Sequence, residues 1–291
     1  QVYVHVKEGD FSGANSGVIS AKTIDINTDG DITNKGIISG RELTTINAKN
    51  IMNEGGQFSA ESLSLSAKND LTNLGGLISA NKSIALSAGN NLNMFSTTQE
   101  AENVSGQDVF GIKTVDRIAK VFTSGDNALI DIQTGNDLNL VAFQMEALGN
   151  NSKVQLKAGN NLTSSTVTTG MAEELIFDER NFVKSHETKH QGSHFNINGD
   201  IGLSANNDVT LANTDLFATG KTAIHADNHV NLTTVTDSRD YQNYHHESFR
   251  KGHYTSKVNS SEEKEKGSTI SGQNGVSITS GNTITATAAN I

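Results

Sequence analysis

The chain has nine histidines, and their uneven spread points first to metal or proton chemistry. His186, His190 and His194 recur at every fourth position. On a helix that spacing makes one stripe, in which neighbours could share a zinc ion. On a strand the same residues share a face but stand about 13 Å apart, too far for one metal. A polar exposed segment would also carry them with no ligand at all, or with protonation at about pH 6 as their only chemistry. His245, His246 and His253 form a second set, among Tyr241, Tyr244, Phe249, Arg250 and Tyr254. Such a mixture either packs a hairpin against itself or offers a contact surface, where exposed aromatics and Arg are favoured. Tyr241, Tyr244, His245, His246, Phe249, Arg250 and Tyr254 are therefore the candidate partner-binding residues. No catalytic, metal or cofactor residue is assigned.

The carboxylates do not group. Asp25, Asp31, Asp70, Asp131, Asp137 and Asp208 are scattered and mostly sit beside turns, where Asp ordinarily bonds nearby backbone. Glycan cleavage needs two carboxylates at a set separation, and no spacing marks such a pair. The sequence contains no phosphate-binding loop, dinucleotide fingerprint, HExxH or calcium-binding nonapeptide.

The elements that must position these residues are repeats. Residues 76–93, GLISANKSIALSAGNNLN, restate residues 56–73, GQFSAESLSLSAKNDLTN, and two earlier copies begin at Gly17 and Gly36. Three apolar series step by about twenty residues, the mark of a solenoid. They are Ile19, Ile38, Phe58 and Ile78; Ile24, Leu43, Leu63 and Ile84; and Ile32, Ile51, Leu71 and Leu92. Within a copy, apolar and polar residues alternate, as in Ser62 to Ser66, so the repeats read as strands and not helices. Three brief strands fit each coil. Ser20, Ser39, Ser59 and Ser79 form one further column, and Ala21, Gly40, Ala60 and Ala80 another. Asn34, Asn53 and Asn73 form a column whose amides can bond along the stack. The expected fold is an all-β, right-handed parallel β-helix of about twenty residues per coil, its hand following the crossover rule.

Three interruptions break the array. The expected segments are repeats over 1–94, an insertion at 95–126, repeats over 127–169, an insertion at 170–193 and repeats over 194–235. A projecting hairpin at 236–267 and a terminal coil at 268–291 follow. In the first insertion Ile112, Val115, Ile118, Ala119 and Phe122 fall at helical spacing yet also alternate imperfectly, so helix and hairpin both remain open. In the third, Gly252 stands where a tight turn would need positive φ, and Arg239 is set to lie near Glu262 and Glu263. Between strands, turns of the form Gly89-Asn90-Asn91-Leu92, Gly135-Asn136-Asp137-Leu138 and Gly159-Asn160-Asn161-Leu162 recur. Their Asn, Asp and Gly suit corners with positive φ.

Composition agrees with a ladder. The 291 residues include no proline and no cysteine. A proline in a central strand would delete a ladder hydrogen bond, and without cysteine there is no disulfide or thiolate site. A net charge of −10 without blocks of Lys and Arg argues against nucleic acid. No apolar run approaches a membrane span. The chain starts at Gln1 with no signal peptide, and is expected to be a piece of a longer solenoid with further coils on either side.

SAGNNLN, TGNDLNL, KAGNNLT and SGNTITATA resemble the repeats of filamentous haemagglutinin and its relatives. These are the large two-partner-secreted exoproteins of Gram-negative bacteria, including contact-dependent growth inhibition effectors and related haemolysins. Long polar interruptions such as DSRDYQNYHHESFRKG are similar to the second haemagglutinin-repeat region of growth-inhibition effectors. The resemblance implies a secreted, non-enzymatic segment at the cell surface, held in the periplasm before delivery, that serves adhesion or toxin delivery. Its implied partners are a receptor on the target cell's outer membrane or surface, and a cognate outer-membrane transporter engaged through a domain outside these residues. The alternative is a carbohydrate-active β-helix that cleaves a surface polysaccharide.

Overall fold

The structure, a computed structural model, describes residues 17–291; the start of the first repeat segment, residues 1–16, lies outside it. Every regular element among the described residues is a strand, and no helix is long and apolar enough to cross a membrane. Strands of successive coils pair in parallel, the arrangement of a β-helix. Ladder partners lie 19, 20 or 21 residues apart in uninterrupted stretches.

Each coil is three strand segments. The first two run together as one bent strand in the early coils, as in Ile37–Ala48, with a register shift at the bend. In a later coil they separate into Lys120–Thr123 and Leu129–Thr134, which pair with the two halves of Leu77–Ala88. The third segments, from Ile32–Asn34 to Thr283–Ala286, form a nine-stranded sheet of their own, so the described shaft has nine coils. Side chains alternate along each segment, and the inward ones fuse into one core whose largest fully buried members include Phe58, Phe143 and Phe195.

Two of the expected apolar columns run as read: Ile19, Ile38, Phe58 and Ile78 align, as do Ile32, Ile51, Leu71 and Leu92. In the third, Thr44 replaces Leu43. Thr44 pairs with Ile24 and Leu63 inside the core, while Leu43 points outward. The alternation set by Ile46 and Ala48, both buried, forces this choice. The asparagine column is buried and bonded along the stack, Asn34 Nδ2 to Asn53 Oδ1 at 2.9 Å and Asn53 Nδ2 to Asn73 Oδ1 at 2.8 Å. It ends where Asn73 meets Met94 in the next coil.

The recurrent Gly-Asn turns work differently from the expectation. None of their residues has positive φ. Instead a Cβ at Gly89 would run into the Lys68 carbonyl of the preceding coil, one at Gly135 into that of Gly89, and one at Gly159 into that of Gly135. Glycine is there for close stacking. The neighbouring Asn and Asp form a rail from coil to coil. Asn90 donates to Asp70, Asn136 to Asn91, Asn160 to Asp137, Asn207 to Asn161 and Asn228 to Asp208.

Candidate functional site

All three interruptions leave the shaft at one corner, between the third segment of one coil and the first segment of the next. Each is an antiparallel hairpin. The first is Thr97–Ser105 with Asp108–Arg117, the second Val167–Asp178 with Asn181–Gln191, and the third Val235–Phe249 with Gly252–Lys266. The helical alternative for the first is thereby settled against. Its extent is also shorter than the expected 95–126. Lys120–Thr123 is a shaft strand, with Val121 between Ile78 and Met145 and with Ala119 and Val121 fully buried. The apparent helical stripe mixed residues of two elements: Ile112 and Val115 belong to the hairpin, Ala119 to the core.

The hairpins do not project singly. Asp108–Arg117 pairs with Val167–Asp178, and Asn181–Gln191 with Val235–Phe249, making one six-stranded antiparallel sheet. We call it the fin. The spacing explains why it can form. A hairpin adds two strands, and adjacent strands lie about 4.8 Å apart both in the fin and along the shaft. Hairpins therefore meet edge to edge only if they leave the shaft every second coil. They do so after the fourth, sixth and eighth coils; the corners after the fifth and seventh close tightly, with Ala142 at φ 47° and Asn213 at φ 46°. Buried serines pin the roots. Ser96 Oγ accepts from the Ala119 N–H at 3.0 Å and donates to the Ala142 carbonyl at 2.7 Å. Ser193 Oγ accepts from the Phe143 N–H, and Ser268 Oγ from that of Thr214. Sequence reading missed these serines, which nothing marks among so many.

Polar ties close the seams between hairpins. Asp108 Oδ1 accepts from the Ile176 N–H at 2.8 Å, joining the first to the second. Asn181 Oδ1 accepts from the His246 N–H at 2.9 Å, joining the second to the third. Asp237 receives the His190 N–H at 2.7 Å on one oxygen and Lys266 Nζ at 2.8 Å on the other. Burial works to raise the Asp237 carboxyl, but hydrogen bonds from Lys266 and the His190 backbone, with the Lys266 charge, hold it below its ordinary value. Within the second hairpin, the hydrogen bond from Lys184 at 2.7 Å lowers Glu174, assisted by His186 at 3.0 Å.

The structure divides the seven candidate partner residues. Tyr244 is half-buried at the seam, edge-to-face with Phe182 of the second hairpin at 5.8 Å. Tyr241 stands opposite Ser185, also within the sheet. His245 lies 6.2 Å from Tyr254, and His246 lies 5.7 Å from His253 on the other face. Phe249, Arg250 and Tyr254 are exposed at the tip. The turn there is Arg250-Lys251; Gly252 pairs with Phe249 on the strand and has no positive φ, unlike Gly106 in the first hairpin. Arg239 stands directly opposite Glu262 on one side and Glu187 on the other. His186 and His190 occupy one strand, but His194 opens a shaft strand beside Phe217. Among the described residues no three His, Asp or Glu side chains gather as metal ligands.

The scattered acids are occupied as rails and turn acceptors. Asp25 accepts from Asn27, Asp31 from Asn50 and Asp131 from Gln133. A shallow groove on the shaft, lined in part by Ser39, Arg41, Ser59, Glu61 and Asn81, holds a single carboxylate. Hydrogen bonds from Asn81 and Lys82 hold Glu61 below its usual range. That acidity is the reverse of what a proton donor to a glycosidic oxygen needs.

Compared with known proteins, residues 178–291 match the model of a family described as Hemagglutinin repeat. The match spans the return strand of the second hairpin, the whole third hairpin and the last three coils. It is consistent with a filamentous haemagglutinin-like exoprotein and points to a secreted, adhesin-like segment. No curated protein and no solved structure matches the chain.

Proposed function

We propose, from hemagglutinin repeats over residues 178–291, that the chain is a non-catalytic β-helical segment of a secreted Gram-negative surface exoprotein. Its task is toxin delivery into target bacteria by contact-dependent growth inhibition, or adhesion. The fin carries this reading. Six strands, two of them 15 residues long, stand off the shaft without enclosing a core. So much ordered chain outside the core is costly in conformational entropy and adds little burial, so a contact role accounts for it better than a stabilising one. The partner is a receptor at the target cell's outer membrane or surface, reached by the tip residues Phe249, Arg250 and Tyr254. A cognate two-partner transporter acts through a region outside these residues, and the periplasm is a staging place before delivery.

The polysaccharide-cleaving alternative gains no support from the shaft groove beside Glu61, which offers one carboxylate, held low by hydrogen bonds from Asn81 and Lys82. The test is to replace residues 237–266 in the parent exoprotein by a short Gly linker and score attachment and target-cell killing. Reduced attachment or killing with normal surface display supports the proposal; unchanged delivery overturns the role given to the fin. Release of oligosaccharide from surface polysaccharide by the purified chain would return the enzyme reading.

A further inference from the structure

The fin has two free edges, Thr97–Ser105 and Gly252–Lys266, and they are not alike. An edge strand turns alternate N–H and C=O groups outward, where another chain can pair with them. Gly252–Lys266 carries Lys257, Lys264 and Lys266 among Glu262, Glu263 and Glu265, the charged guard that natural edges use. Thr97–Ser105 has no Lys, Arg or Pro, and Gln99 to Ser105 are all exposed. The chain's own coils supply no neighbour for it. At an interval of two coils, the flanking strand would belong to a hairpin leaving after the second coil. There the chain instead closes a tight corner at Gly55, with φ 65°. Arg117, paired with Asp116, lies against that corner and against the next one at Gly75.

Charge says what fits this edge. Register puts Thr98, Glu100, Glu102 and Val104 on one face of the strand and Gln99, Ala101, Asn103 and Ser105 on the other. Glu102 stands opposite Gly111, beyond which lies Ala172, so the sheet sets no side chain there to pair with it. Glu100 stands opposite Lys113, yet among the described residues neither carboxylate forms an ion pair. Both line a shallow hollow together with Gly111, Gly170 and Ala172, whose small size leaves space for a long side chain beside them.

We propose that Thr97–Ser105 is a docking edge for an extended basic segment of another protein, added to the fin as a seventh, antiparallel strand. Its basic side chains, two residues apart, stand on the face of Glu100 and Glu102, and ladder hydrogen bonds hold its backbone. A second copy of this chain does not fit, because pairing the strand with itself about residues 100–102 sets Glu against Glu. The site is separate from the exposed tip of the third hairpin and stands independently of the delivery reading.

The probe is an end-capped nonapeptide of alternating lysine and threonine, titrated into the 291-residue chain at about physiological salt. The expected result is saturable binding that slows amide exchange along Thr97–Ser105 and not along Gly252–Lys266. Glu100→Lys with Glu102→Lys should weaken binding at least about tenfold, roughly 1.4 kcal/mol, at unchanged melting temperature. A peptide of alternating glutamate and threonine should not bind the native chain. N-methylation of the lysine peptide separates strand addition from charge attraction. Methyl groups on one set of alternate nitrogens face the ladder and should abolish binding; on the other set they face solvent and should leave it. Absence of saturable binding overturns the proposal. So do equal affinities of the two methylated peptides, or protection that falls on Gly252–Lys266 instead.

Discussion

Shaft and fin are built from the same element at the same spacing, yet they are held together differently. Shaft strands pair in parallel with the coil before and the coil after, and their inward side chains meet in a closed core. Fin strands pair antiparallel, mostly with residues close in sequence, and meet no second layer. The shaft therefore gains chiefly from burial, at roughly 25 cal/mol per Å² of apolar area. The fin relies on ladder hydrogen bonds, cross-strand pairs and a few polar ties. A mutation that is severe in one region should be mild in the other.

The largest effect should come from the shaft core. Ile78 is fully buried, and Ile78→Asp should cost about 4 kcal/mol by burying an unpaired carboxylate. Lys82→Asp, which breaks an exposed pair with Glu61 and leaves two solvated carboxylates near each other, should cost only about 1 kcal/mol. Equal melting temperatures for the two variants would break the contrast between buried and exposed ladder positions. Next is a change of spacing. Inserting a copy of the early coil at residues 57–76 after Phe143, between the first and second hairpins, should lengthen the shaft without unfolding it. The seam at Val109–Lys113 should separate, and amide exchange there should speed up by at least about tenfold. Unchanged exchange would mean that the two-coil interval is not what seats the hairpins. Asn53→Ala follows, expected to cost about 2 kcal/mol because it leaves Asn34 and Asn73 without their buried partner; a loss under about half that would reduce the column to packing.

The smallest effect concerns the seam between the second and third hairpins. Asp237 is lowered in the folded chain from an ordinary value of 3.8. Its contribution is thus complete above that value and disappears as pH falls through the lower folded one. Amide exchange at His190 should stay slow from neutral pH down to about pH 4 and quicken below it, after correction for intrinsic exchange, while shaft amides change less. Asp237→Asn should remove the step; a step that survives the substitution would assign it to another carboxylate.

The sequence made the shaft readable because each buried position repeats in the next coil, so that Ile38, Phe58 and Ile78 are found by counting. Leu43 misled because it is larger than Thr44, and only the phase set by Ile46 and Ala48 reveals which one turns inward. The Gly-Asn turns were found but misread: their glycines answer to the coil beneath, a relation that no local turn rule contains. The hairpin character of the third insertion was legible in its alternation. The fin was not, because its seams join segments such as Phe182 and Tyr244 that share no repeat. Neither of its faces is buried within the chain, so no apolar period announces it. Tyr244, which the sequence allows either to pack a hairpin or to serve as a contact, packs against Phe182 at the seam.

The two-coil interval between hairpins bears on how such an array can lengthen over evolutionary time. A gene duplication that adds one coil between hairpins leaves the core intact but puts every later hairpin out of step, opening a gap of one strand width in the sheet beside it. One that adds two coils with their hairpin restores step and extends both structures together. Selection acting on the fin would therefore tolerate recombination only in even numbers of coils. Stretches without hairpins, such as the first four coils here, are free of that parity and can grow one coil at a time.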